Sequence, residues 1–182
     1  MKNWTFALAL GAMICVGSGA FADEQMTPLA ADGDWIAMSH SDSLLDSADV
    51  CIAASTDNPT LILRVDDQGD MEVRLANSSW SLPANVTGNI GVSVNGHKYT
   101  YPIAANQSSL VAATVSQAQL TALVSDMETA SAMQVTAGSA APTTISLDGT
   151  KVVLTAFMTC AGINNPSKNT GGSNPFASSS SN

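Results

Sequence analysis

Two stretches of the chain alternate apolar and polar residues on either side of a turn signal. In TLILRVDDQGDMEVRLA (60–76), Leu61, Leu63 and Val65 alternate with Ile62 and Arg64, while Met71, Val73 and Leu75 alternate with Glu72 and Arg74. A three-residue loop, Asp67-Gln68-Gly69, with Gly69 in the left-handed conformation is a common hairpin connection. That loop sets Val65 opposite Met71, Leu63 opposite Val73 and Leu61 opposite Leu75. On the other face Arg64 then lies opposite Glu72, an opposite-charge pair worth roughly 0.2–1 kcal/mol. NIGVSVNGHKYTYPI (89–103) repeats the pattern around Asn95-Gly96, whose residues both accept positive φ. A two-residue loop there pairs Val92 with Tyr99 and Ile90 with Tyr101.

Further strands are read over DWIAMSH (34–40), VCIAAS (50–55), SAMQVTA (131–137) and TTISL (143–147). SSWSLP (78–83) reads as a short strand on which Trp80 anchors the core. The period changes at SQAQLTALVSDM (116–127). Ser116 and Gln119 make a capping-box pair, and Leu120, Leu123, Val124 and Met127 form one helical stripe. KVVLTAFMTC (151–160) reads as a second helix, capped by Asp148 or Thr150, with Val153, Ala156, Phe157 and Cys160 on one face. Residues 23–33 read as a polar lead-in and 41–49 as an acidic loop with one helical turn. From Ile163 the chain is rich in Asn, Ser, Gly and Pro and buries too little apolar surface to offset its ordering entropy, so disorder is expected. The sum is a mainly β chain: an antiparallel β-sandwich with two short helices over 34–162, followed by the tail 163–182.

The N-terminus changes the picture. Lys2, the apolar run Trp4 to Val16 and the small residues of Ala20-Phe21-Ala22 match a secretory signal peptide over residues 1–22. The apolar run falls short of the ~20 residues needed to span a bilayer. A lipoprotein signal at Cys15 is rejected because Ile14, not a small residue, precedes it. The exported chain is expected to begin at Asp23, without an integral membrane segment, in the periplasm or outside the cell. Losing Lys2 leaves five basic side chains against fifteen acidic ones. Such a charge repels phosphates, excludes nucleic acid as a partner and favours a basic one.

Export also removes Cys15 and leaves Cys51 and Cys160. Two thiols in an oxidising compartment form one disulfide. A cysteine nucleophile needs a histidine base, and neither His40 nor His97 sits in such a motif. A zinc site needs close ligand spacing, whereas these cysteines lie over a hundred residues apart. Asp66, Asp67, Gly69 and Asp70 lack the alternating oxygens and distal Glu of a calcium loop. Met38 and His40, two apart on one strand face, offer soft and imidazole ligands that suit copper, but no further ligand accompanies them. No Gly-x-Ser-x-Gly or Ser-x-x-Lys pattern is present. No catalytic residue, metal site or cofactor is expected.

The order of features resembles one family. Trp35 precedes Cys51, an alternating hairpin leads to Trp80-Ser-Leu-Pro83, VSVNG follows, and ISLDGTKVVLTAF (145–157) closes the domain. Over residues 34–161 this is similar to the bacterial invasion-associated locus B family. Thr150 stands where an aromatic commonly follows the glycine in that family, and the family's extra cysteines are missing. The resemblance implies an immunoglobulin-like sandwich and an envelope or surface role, with host-cell contact in some members, and it supplies no catalytic residues. The expected function is therefore non-enzymatic: an exported envelope or surface binding protein with an unidentified protein partner. The alternatives are an acidic inhibitor or immunity-type protein that blocks a basic enzyme, and a small hydrolase.

Overall fold

The structure, a computed structural model, describes residues 25–41 and 48–163. In chain order it contains β1 (Gln25–Asp32), β2 (Trp35–Ser41), β3 (Val50–Ser55), β4 (Thr60–Asp66), β5 (Met71–Ala76), β6 (Asn89–Val94), β7 (His97–Pro102), β8 (Ala105–Gln107), β9 (Leu110–Val115), α1 (Gln117–Met127), β10 (Ala132–Ala137), β11 (Thr143–Ser146) and α2 (Thr150–Cys160). The strands form two antiparallel sheets, one of seven in the order β1-β2-β3-β4-β5-β9-β8 and one of four in the order β11-β10-β6-β7. This is the mainly β, two-sheet architecture with two helices that the alternation predicts.

Both hairpins adopt the register expected of them. Leu61 pairs with Leu75, Leu63 with Val73, Arg64 with Glu72 and Val65 with Met71. Ile90 pairs with Tyr101 and Val92 with Tyr99. Asn95 and Gly96 both have positive φ, 52° and 78°, as a two-residue hairpin loop requires. The alternation then decides burial. Cys51, Ala53, Leu61, Leu63, Val65, Val73, Leu75, Val111 and Ala113 are buried on one face of the large sheet.

That face is covered by two neighbours. The four-stranded sheet contributes Ile90, Val92, Tyr101, Met133, Val135 and Ile145 to the same core. Beside it α2 packs against β1, β2 and β3, burying Val153, Leu154, Phe157 and Met158. α1 follows the stripe read from its sequence: Leu120, Leu123, Val124 and Met127 are buried, and the Ser116–Gln119 capping box is formed. Cys51 and Cys160 are joined by a disulfide with their Cα atoms 6.0 Å apart. It ties the end of α2 to the middle of the large sheet.

Several expectations are corrected. Gln25–Asp32 is not a lead-in but the edge strand β1, paired with β2 over its length around a bulge between Pro28 and Ala30. Residues 78–83 are irregular, so Trp80 sits in a loop. β8 and β9 had no counterpart in the reading of the sequence. The N-cap of α2 is Gly149, with no side-chain cap; the Thr150 hydroxyl donates instead to the Leu147 carbonyl at 2.8 Å. The expected signal peptide (1–22), most of the expected acidic loop (42–47) and the tail beyond Ile163 lie outside the described residues. Among the described residues no helix is long and apolar enough to cross a membrane.

Candidate functional site

The residues singled out for metal chemistry do not converge on one another. Met38 stands on β2 opposite Ile52. His40 Nδ1 lies 3.2 Å from Asp49 Oδ2, so this imidazole is engaged at the loop end of the β2–β3 hairpin. Asp66 is committed to its own turn: it accepts the Asp70 N–H at 2.9 Å and Arg64 Nη1 at 3.0 Å. Burial pushes its carboxyl up, yet the Asp70 N–H, Arg64 and the Gln68 N–H together outweigh that and hold it below its ordinary value. Among the described residues no group of three or more His, Cys, Asp or Glu is placed to hold a metal ion.

What the fold does assemble is a groove at one end of the sandwich. The connection from β5 to β6 makes no ladder, so its backbone groups need other partners. Asn77 N–H donates to the Ser109 carbonyl and Leu82 N–H to the Ser108 carbonyl, at 2.9 and 2.8 Å. Asn106 fixes the next turn: its Nδ2 donates to the Pro83 carbonyl at 2.8 Å, and its Oδ1 accepts the Val86 N–H at 3.0 Å. Held this way, Trp80, Leu82 and Val86 line a groove of about 310 Å³ with Ile103, Val111 and Ala137, and Thr87 and Ser139 supply hydroxyls. Trp80, Leu82 and Ile103 pack on the core yet remain half-exposed. A partly exposed tryptophan in an apolar concavity is the usual form of a binding anchor. The reading of the sequence identified Trp80 as an anchor but not the groove, because its walls come from four separate segments.

Carboxylates gather at one place, and one serves as a hub at another. Asp32, Asp34, Asp57 and Asp148 come from three turns that meet: Asp34 N–H donates to the Asp148 carbonyl at 3.2 Å, Thr56 N–H to the Asp34 carbonyl at 2.9 Å, and Ser146 N–H to Asp57 Oδ2 at 3.3 Å. The second place is a hub on Asp126, near the end of α1. Its Oδ2 accepts the Tyr99 hydroxyl at 2.5 Å and lies 2.6 Å from His97 Nδ1, while Asn95 Nδ2 donates to its carbonyl at 3.0 Å. The hydrogen bonds from Tyr99 and His97 hold the Asp126 carboxyl below its ordinary value. Burial, with the Asp126 hydrogen bond, pushes Tyr99 up to about 12. The hub latches the β6–β7 hairpin tip to α1, with the Thr129 hydroxyl accepting from Asn95 Nδ2 at 2.7 Å and donating to the Asp126 carbonyl at 3.1 Å.

No family model, curated protein or solved structure matches this chain.

Proposed function

We propose that the chain is an exported, non-enzymatic binding domain of the bacterial envelope or surface, periplasmic or secreted, that takes part in envelope or host contact. The Trp80 groove carries this reading. At about 310 Å³ it lies at the lower end of ligand-pocket sizes and suits one or two apolar side chains of a protein partner. The Cys51–Cys160 disulfide supports an oxidising compartment, and the resemblance to the invasion-associated locus B family supports the envelope role. The Asp23 start of the exported protein is tested by the intact mass of the native protein; a lipid on Cys15, or a retained apolar segment, overturns it. The binding role is tested by crosslinking in intact cells followed by mass spectrometry. Trp80→Ala is expected to lose the captured partner while its disulfide and sheet signature persist. An unchanged set of captured proteins overturns the groove as the binding face.

A second reading has its own observation. The meeting of Asp32, Asp34, Asp57 and Asp148 at one end favours an acidic inhibitor or immunity-type protein facing a basic enzyme. In that case the captured complex dissociates as salt is raised. Asp34→Asn with Asp148→Asn then weakens it while Trp80→Ala leaves it intact.

A further inference from the structure

The outer face of the seven-stranded sheet is unlike the rest of this acidic chain. Both arginines of the sequence lie on it. Two adjacent rows cross the strands in register: Ile36, Ala54, Ile62 and Arg74 in one, and Met38, Ile52, Arg64 and Glu72 in the other. Each row runs from apolar to charged. Arg64 Nη1 lies 3.0 Å from Asp66 Oδ2 and 3.4 Å from Glu72 Oε2, and Arg74 bonds the same Glu72 oxygen, so the four charges cancel locally. The apolar half consists of Ile36, Met38, Ile52, Ala54 and Ile62, all half-exposed, and Met26 of β1 continues it at 46% exposure. The helices and the second sheet pack on the opposite face, and no described element is seen to pack on the apolar half of this one.

The sheet edges, by contrast, are guarded against pairing. β1 carries Pro28 and a bulge, and β8 is three residues long. β7 ends in Pro102. On β11, Trp35 Nε1 donates to the Ser146 carbonyl at 2.8 Å while Asp57 accepts the Ser146 N–H. Association through a strand edge is thus disfavoured, and the face remains.

We propose that this face is the contact between two copies of the chain, paired sheet to sheet about a two-fold axis. The formal net charge is −9, so two copies repel through most of their surface. Here the charges cancel and the apolar row of one copy meets that of the other. Five strands spaced ~4.8 Å apart and ~20 Å long present about 500 Å² per copy, or about 1,000 Å² for the pair. That is the lower bound for a specific interface and falls in the weak, transient class, for which micromolar association is the expected outcome.

Sedimentation of the exported full chain over a range of concentrations tests the proposal. The wild type is expected to pass from monomer to dimer as concentration rises to about 100 μM, where a micromolar interface is saturated. Ile52→Glu is expected to remain monomeric, and Val152→Glu, on the exposed side of α2, to dimerise like wild type. A footprint on the wild type needs no variant: oxidation of Met38 falls as concentration rises, while acetylation of Lys151 does not change. A wild type that stays monomeric at about 100 μM overturns the proposal. So does a folded Ile52→Glu dimer, or a constant Met38 footprint. Capture of a different protein on this face by a chain that does not self-associate overturns it as well.

Discussion

Gly33 and Gly149 meet backbone to backbone. Both have positive φ, 51° and 81°. A Cβ on Gly33 would lie 2.5 Å from the Asp148 carbonyl oxygen, and one on Gly149 would strike the Asp32 carbonyl. The contact sets the β1–β2 turn against the first turn of α2. From there α2 runs across the sheet until Cys160 reaches Cys51.

Gly149→Ala is expected to cost about 2–4 kcal/mol, combining about 1 for the left-handed backbone with 1–3 for overpacking. Gly69 is the control, since it has φ 85° and a Cβ there would meet nothing within 4 Å. Gly69→Ala therefore suffers only the backbone part, about 1 kcal/mol. Urea midpoints at equal m-value give the comparison. Equal losses in the two variants would mean that the glycine contact contributes nothing.

The disulfide closes a loop with a sequence separation of 109. The chain-entropy model gives about 4.7 kcal/mol for a loop of that order, and native strain usually lowers it. Against a net domain stability of roughly 5–15 kcal/mol this is a large share. Cys160→Ser and Cys51→Ser are each expected to lower Tm strongly and equally, with the double variant no worse than either. Additive losses would show that the two thiols stabilise the fold independently rather than as a pair.

Legibility in the sequence followed how local the determining chemistry was. Asn95-Gly96, Gly69 and the Ser116–Gln119 box each specify their geometry within a few residues, and all three read correctly. The disulfide was legible because a signal peptide read over residues 1–22 would take Cys15 with it and leave two cysteines. β1 was missed because QMTPLAAD holds a proline and no clean alternation, as an edge strand can when one partner supplies all its pairing. β9 was missed because the small side chains of LVAATV (110–115) carry little periodic contrast, although both its faces are covered at Ala112. Trp80 looked like a strand residue since its apolar neighbours alternate. A local signal was passed over, since the Asn77 side chain accepts the Ser79 N–H and the Asn77 carbonyl accepts the Trp80 N–H in a tight turn. The bonds from Ser108, Ser109 and Asn106 that fix the rest of the loop are out of reach of any local pattern. The groove and the acidic meeting point are tertiary for the same reason.

The Asp126 hub makes stability fall at both ends of the pH scale. The Asp126 carboxyl is lowered by the Tyr99 and then the His97 hydrogen bonds, so its contribution is present above the ordinary carboxylate pKa near 3.8 and is lost as pH falls through the folded value. Tyr99 is raised from 10.0 to about 12, chiefly by burial, so its contribution is complete below 10 and is lost as pH rises toward 12. Tyr99→Phe is expected to flatten the acid limb and reduce the alkaline one in a plot of Tm against pH. Some alkaline loss persists through Tyr101, whose buried hydroxyl has no partner among the described residues and is also raised. An unchanged acid limb would show that the carboxylate does not depend on Tyr99.

Asn106 is predicted to control the groove without controlling the fold. It clamps the wall with both ends of its amide, donating to the Pro83 carbonyl and accepting the Val86 N–H. No strand pairing holds residues 83–87, so these two bonds decide where Val86 stands against Trp80. Asn106→Leu removes both and is expected to cost about 1–3 kcal/mol, on the scale of one or two net hydrogen bonds. The more telling readout is local. Hydrogen exchange at the Val86 amide is expected to rise toward that of an open loop, while amides of β4, at the centre of the large sheet, keep their protection. Asn106→Asp retains the acceptor and loses the donor, so its Val86 amide should exchange at an intermediate rate. If partner capture depends on the groove, it falls in the same order, with the leucine variant weakest. Unchanged exchange at Val86 in Asn106→Leu would mean that Ser108, Ser109 and the packing of Leu82 hold the wall without it.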